Sequence, residues 1–117
     1  MWTYKATVVR HLDGDSLIAR IDLGFRLWSE QHLRLAGLDT PELRSRDPGQ
    51  RRDAVAARAR IAALLPVGAA CTVETRPDPR DKYGRWLCRI TAPDGTDVNA
   101  MLLAEGLARP YDGGARG

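Results

Sequence analysis

Long apolar runs are missing from this sequence, and cysteine, histidine and lysine are scarce. No apolar stretch approaches the ~20 residues of a membrane-spanning helix. Met1-Trp2-Thr3-Tyr4-Lys5 passes straight into strand-like alternation and lacks the basic-then-apolar layout of an export signal. The expectation is a cytoplasmic protein with no membrane partner, with secretion after removal of an export signal as the alternative. Cys71 and Cys88 are the only two cysteines in 117 residues. They have neither metal-ligand spacing nor a nearby histidine partner, which excludes a zinc module and a disulfide-built scaffold. Both lie in strand-like stretches and read as buried thiols, with a cross-strand disulfide as the alternative. His11 and His32 lack an obvious third group to orient either for catalysis. Only two of the 18 basic residues, Lys5 and Lys82, are lysine. The arginine excess suits bidentate phosphate contacts, and equally a high-GC genome.

A net charge of +3 permits a polyanionic partner without requiring one. An apolar share of 44% excludes disorder by composition. The length suits a single domain with one modest core, here residues 1–112, followed by a loose Gly-rich tail at 113–117.

Alternation in residues 2–10 predicts a strand, Asp13-Gly14 a turn, and Ser16 to Asp22 a second strand. Leu23 to Trp28 reads as a loop or a twisted strand end. Leu33, Leu35 and Leu38 predict a third strand, closed by Asp39-Thr40-Pro41. The clearest helix runs from Gln50 to Leu65, with Ala54, Ala57, Ile61 and Leu64 on one stripe, and Pro66 and Gly68 end it. Two strands, 70–76 and 85–91, flank the Asp81-Lys82-Tyr83-Gly84-Arg85 loop. Asp97 is placed to cap a short helix from Val98 to Glu105, with Gly106 just beyond its end. The predicted fold is mainly β with helices: a five-stranded OB-like Greek-key barrel with two packed helices, a common nucleic-acid and oligosaccharide architecture.

Three short segments carry the chemistry. Asp15 and Asp39 each sit at a strand end beside a turn. If those strands pair, the two carboxylates and the Thr40 carbonyl make a weak, open oxygen site suited to Ca²⁺. Each aspartate alone is equally a turn residue. Glu42 follows the stiff Pro41 and lies three residues from Asp39, placed to orient or deprotonate a water. Arg34 interrupts an apolar run, so it must face an acidic or phosphate-binding surrounding. Arg85, on another segment, could complete a two-sided clamp on a phosphate as charge builds in a transition state. Lys82, Tyr83 and Tyr111 are candidates to hold a phosphate or stack on a base. The basic stretch Arg44 to Arg60 reads chiefly as a solvated loop and helix face.

Taken in order, the DGD-S turn, the R-x4-D-T-P-E segment beginning at Arg34, the D-K-Y-G-R loop and the V-N…E-G-L-A helix resemble the staphylococcal nuclease (thermonuclease) family from about Tyr4 to Tyr111. The resemblance implies an OB-like barrel and Ca²⁺-dependent endonucleolytic hydrolysis of DNA and RNA to 3′-phosphorylated products. The expected partners are single-stranded DNA and RNA, and the expected state is a monomer, with an oligomer as the alternative. It implies Asp15, Asp39 and Thr40 as Ca²⁺ ligands, Arg34, Glu42 and Arg85 as catalytic, and Lys82, Tyr83 and Tyr111 as substrate-binding. Asp13 would lie near the metal without ligating it. Ser16 replaces the commoner threonine, and the helix that follows in the family's best-known members is not present after Tyr111. An alternative is a non-catalytic nucleic-acid or protein-binding module of the same fold, and a third reading is a domain that needs an oligomeric partner. The complete set of Asp15, Arg34, Asp39, Glu42 and Arg85 favours the enzyme, because a binding module has no chemical need for Glu42 beside a metal pair.

Overall fold

The computed structural model describes residues 2–77 and 85–111. Five strands close a barrel in the order β1-β2-β3-β6-β5, formed by β1 (Trp2–Asp13), β2 (Ser16–Asp22), β3 (Trp28–Leu35), β5 (Ala70–Pro77) and β6 (Trp86–Thr91). β4 (Leu38–Asp39) and β7 (Arg109–Pro110) make a separate two-stranded ladder. Helix α1 (Pro48–Leu64) packs against β1, and α2 (Val98–Ala104) packs against β6 and α1. The expected barrel with two helices is therefore present, and the small β4–β7 sheet is an addition to it.

The barrel closes because β1 is long enough to pair twice. Its first half pairs with β5 from Trp2↔Thr75 to Thr7↔Ala70, and its second half pairs with β2 from Ala6↔Ile21 to Asp13↔Ser16. Register shifts at Val8/Arg10 and His11/Asp13 bend the strand between those partners. Alternate residues of each strand, among them Val8, Leu17, Ala19, Leu33, Leu35, Val73 and Ile90, fill the interior and are almost fully buried. β3 starts earlier than the sequence pattern suggests, because the pairing Asp22↔Trp28 extends the β2–β3 hairpin to its tip. It also stops sooner: Gly37, at φ +81°, turns the chain and makes Leu38–Asp39 a strand of its own.

The hairpin tip is strained. Leu27 N–H donates to Gly24 C=O at 2.9 Å, and the two residues between them, Phe25 and Arg26, hold φ of +54° and +61°. Such a turn favours Gly, Asn or Asp at both positions. A left-handed backbone costs a side chain roughly 1–2 kcal/mol per residue.

Helix α1 begins two residues before the expected Gln50, where the Asp47 carboxylate accepts the Gly49 N–H at 3.0 Å. It buries only Ala54, Ala57 and Ile61, and those alanines allow a close approach to the barrel. A Cβ on Gly14 would stand 2.8 Å from the Ala57 Cβ and 3.1 Å from Thr40 Oγ1. Gly14 is therefore needed for this contact as well as for its turn. Asp97 caps α2 as expected, accepting the Ala100 N–H at 3.1 Å. Cys71 and Cys88 are free and buried. Burial pushes the Cys71 thiol up to about 11, and pushes Cys88 up as well.

Asn99, buried on α2, ties the helix to the sheet. Its Oδ1 accepts the Ile90 N–H at 3.1 Å, and its Nδ2 donates to Ala36 C=O and Cys88 C=O, each at 3.0 Å. Cys88 C=O also accepts the Ala36 N–H, so truncation of Asn99 strands chiefly Ile90 N–H and Ala36 C=O. Asn99→Ala is expected to lower the unfolding free energy by about 2–6 kcal/mol, one desolvation cost for each stranded group. A urea-unfolding midpoint equal to that of the wild type would show that these bonds are dispensable.

Candidate active site

The site forms where the β1–β2 turn, the end of β3, β4 and β7 meet. Asp15 lies in the β1–β2 turn, and Leu35 N–H donates to its carbonyl at 2.8 Å, which ties that turn to β3. The register Ser16↔Arg34 sets Arg34 on the strand beside it. Gly37 then returns the chain so that Asp39 comes back under the same guanidinium.

Arg34 is the hub. Its Nη1 lies 2.8 Å from Asp15 Oδ2, and its Nη2 donates to Asp39 Oδ1 and Leu38 C=O, both at 3.4 Å. Side-chain exposure is 12% for Arg34, 11% for Asp15 and 5% for Asp39, so all three charges are largely removed from water. Burial alone would lower the Arg34 pKa, but the charges and hydrogen bonds of Asp15 and Asp39 outweigh it and the net shift is upward. The Tyr111 ring lies 5.8 Å from the guanidinium carbon, and Tyr111 N–H donates to Gly37 C=O at 3.0 Å. The expectation that Arg34 meets an acidic surrounding is met, and Tyr111 is brought to the same centre.

Thr40 is buried, and its N–H donates to Asp15 Oδ2 at 3.3 Å, joining the two aspartate segments directly. Glu42 is exposed and lines an open cleft of about 550 Å³ with Asp39, Thr40, Gln50, Asp53 and Arg109. Asp13 is held above the ordinary carboxylate range, first by burial and then by the charges of Asp15 and Glu42, against the opposing pull of Arg44 and Arg58. Arg85 is half-buried just before β6, whose parallel register sets Trp86 opposite Leu33 and Leu87 opposite Arg34. Lys82 and Tyr83, expected to bind substrate, lie outside the described residues.

The donor chemistry suits a hard divalent cation. The available ligands are oxygens, two of them carboxylates 11% exposed or less. Thr40 Oγ1 is buried beside them with no hydrogen-bond partner. No group of three or more His, Cys, Asp or Glu side chains is arranged to hold a metal among the described residues. A cation here would therefore draw the rest of its shell from carbonyl, water or substrate oxygens.

Sequence reasoning missed Arg109. Its Nη2 lies 3.5 Å from Asp39 Oδ2, because β7 pairs with β4 in the register Asp39↔Arg109. No local signal marks it: a two-residue strand has no periodicity, and its partner lies 70 residues earlier in the chain. Asp53 and Gln50 join the cleft through the position of α1 and were equally silent in the sequence.

The profile of the family described as Staphylococcal nuclease homologue matches residues 32–115. The chain is 28% identical over 113 residues to Endonuclease YhcR of Bacillus subtilis (strain 168), covering 92% of this chain and 9% of that protein. It is 31% identical over 105 residues to an uncharacterized endonuclease of Escherichia coli O157:H7, covering 90% of this chain and 60% of that protein. The chain thus spans less than two thirds of the length of each of these relatives.

Proposed function

Because the chain belongs to the family of staphylococcal nuclease homologues, we propose that it is a Ca²⁺-dependent nuclease that hydrolyses phosphodiester bonds in single-stranded DNA and RNA, leaving 3′-phosphorylated products. The observation that carries this reading is the Arg34 guanidinium lodged between the buried Asp15 and Asp39 carboxylates, at 2.8 and 3.4 Å. Both relatives are named endonucleases, which supports the same reaction class.

Asp15, Asp39 and the Thr40 carbonyl would hold the cation, which when bound supplies charge neutralisation at the scissile phosphate. Arg34 binds a non-bridging phosphate oxygen. It is preorganised by its two carboxylate partners, so little reorganisation is needed as charge develops. Arg85 supplies a second positive charge from the β6 side. Glu42, exposed on the cleft next to Asp39 and Thr40, accepts the proton of the attacking water. The water oxygen bonds to phosphorus in line, the bond from phosphorus to the 5′-oxygen breaks, and that oxygen takes a proton from solvent. Tyr111 holds the nucleotide beside Arg34, and Lys82 and Tyr83 act on the same phosphate and base.

Incubation of the protein with single-stranded DNA in Ca²⁺, and in excess chelator, tests this reading. Cleavage is expected in Ca²⁺, to stop in chelator and to return when Ca²⁺ is restored in excess. Cleavage undiminished by chelator refutes the metal dependence. Binding without any cleavage in Ca²⁺ refutes the nuclease reading in favour of a binding module.

A further inference from the structure

The β2–β3 hairpin carries an aromatic surface that neither the core nor the catalytic centre explains. Phe25 at its tip is 97% exposed and Trp28 is 50% exposed. The tip holds Phe25 and Arg26 in left-handed backbone, although glycine or asparagine would relieve that strain. Nothing in the barrel packs on Phe25, so folding alone gives no reason for an aromatic there.

The hairpin shares strand β3 with the site, which lies at that strand's far end. Leu33 and Leu35 point into the barrel and are buried, so Arg34, His32, Glu30 and Trp28 share the opposite, outer face of β3. On β2 their partners are Ser16, Ile18, Arg20 and Asp22. The Arg20 guanidinium sits 4.9 Å over the Trp28 ring. From Arg34 to Trp28 the strand runs six residues, about 20 Å at ~3.4 Å each. That distance is within the footprint of roughly 4–16 nucleotides seen for an OB barrel, and the face of strands 2 and 3 is where such barrels take oligonucleotides.

We propose that the outer face of the β2–β3 hairpin is an extended substrate subsite, in which unpaired bases of a single strand leaving the catalytic centre stack on Trp28 and Phe25. The inference rests on the nuclease reading, single-strand preference included, and adds to it a preference for longer strands over short ones. The charge pattern selects bases over backbone as the bound group. Arg20 and Arg26 are offset by Glu30 and Asp22 on the same hairpin, so the face is no basic groove for a duplex. Exposed aromatic rings with an arginine stacked above one of them are what a sequence-tolerant base-stacking platform needs.

The test compares a thymidine 12-mer, its duplex and a thymidine dinucleotide as substrates of the wild type, Trp28→Ala, Phe25→Ala and Trp28→Phe in Ca²⁺. The KM for the single-stranded 12-mer is expected to rise at least about fivefold in either alanine variant, the low end for loss of one base stack. The kcat should hold, the dinucleotide KM should stay constant, and Trp28→Phe should recover most of the loss. A change below twofold in both alanine variants overturns the proposal. So does an equal rise for dinucleotide and 12-mer, or wild-type KM no better for the single strand than for the duplex. Light scattering that shows a wild-type dimer dissociated by Phe25→Ala would make the hairpin a self-association surface instead. If the wild type cuts neither substrate, the nuclease reading fails, and the fluorescence-anisotropy Kd of the labelled 12-mer decides this inference on the same variants and thresholds.

Discussion

Arg34→Ala is expected to lower turnover on single-stranded DNA by about 10²–10³-fold, the scale for losing one preorganised donor to developing charge. It is expected also to lower the unfolding free energy by ~3–5 kcal/mol, the scale for removing one partner of a buried ion pair. The two effects share one origin. Arg34 is the guanidinium against both Asp15 and Asp39, and its side chain is only 12% exposed. Asp15 keeps the Thr40 N–H and Asp39 keeps Arg109, but at 3.3 and 3.5 Å neither contact matches the 2.8 Å contact between Arg34 and Asp15. Arg34→Lys separates the effects. A lysine keeps a positive charge between the carboxylates, so much of the stability should return, while the loss of the planar fork should leave turnover low. Turnover of Arg34→Ala within threefold of the wild type, measured at a temperature where circular dichroism shows it folded, would remove Arg34 from the chemistry.

Glu42→Gln should reduce turnover by at least ~10²-fold, the lower range for a lost general base, and leave the fold intact. Glu42 is exposed, so the thermal unfolding curve of the variant should lie close to that of the wild type. Binding of single-stranded DNA in Ca²⁺ should survive and tighten slightly, because one negative charge beside the phosphate is gone. The pattern of lost kcat with retained affinity distinguishes a base from a structural residue. A variant that cleaves at the wild-type rate would transfer the role to another carboxylate, and Asp53 on the same cleft is the one to examine next.

Most of the secondary structure was legible because its signals are short-ranged. The alternation of Leu17, Ala19 and Ile21, the stripe of Ala54, Ala57 and Ile61, and the capping aspartate at 97 each act within a few residues, and each holds in the folded chain. The errors fall where partners are distant. Trp28 joins β3 only because Asp22 pairs with it across the hairpin, and Leu38–Asp39 separates from β3 because Gly37 turns the chain toward β7.

The site divides along the same line. Asp15, Arg34, Asp39 and Glu42 were identifiable as residues, because a charge inside an apolar run or beside a turn is conspicuous and costly without a purpose. Their convergence was not. It depends on the Ser16↔Arg34 register, on the β4–β7 ladder that delivers Arg109 and positions Tyr111, and on a helix lying so close to the β1–β2 turn that residue 14 can carry no Cβ. Chemical identity and local conformation belong to residue types and near neighbours, and the sequence by itself determined those. Which charges meet, and at what burial, belongs to strand register and barrel closure, where contacts far apart in the chain are chosen together, and only the tertiary structure decided it.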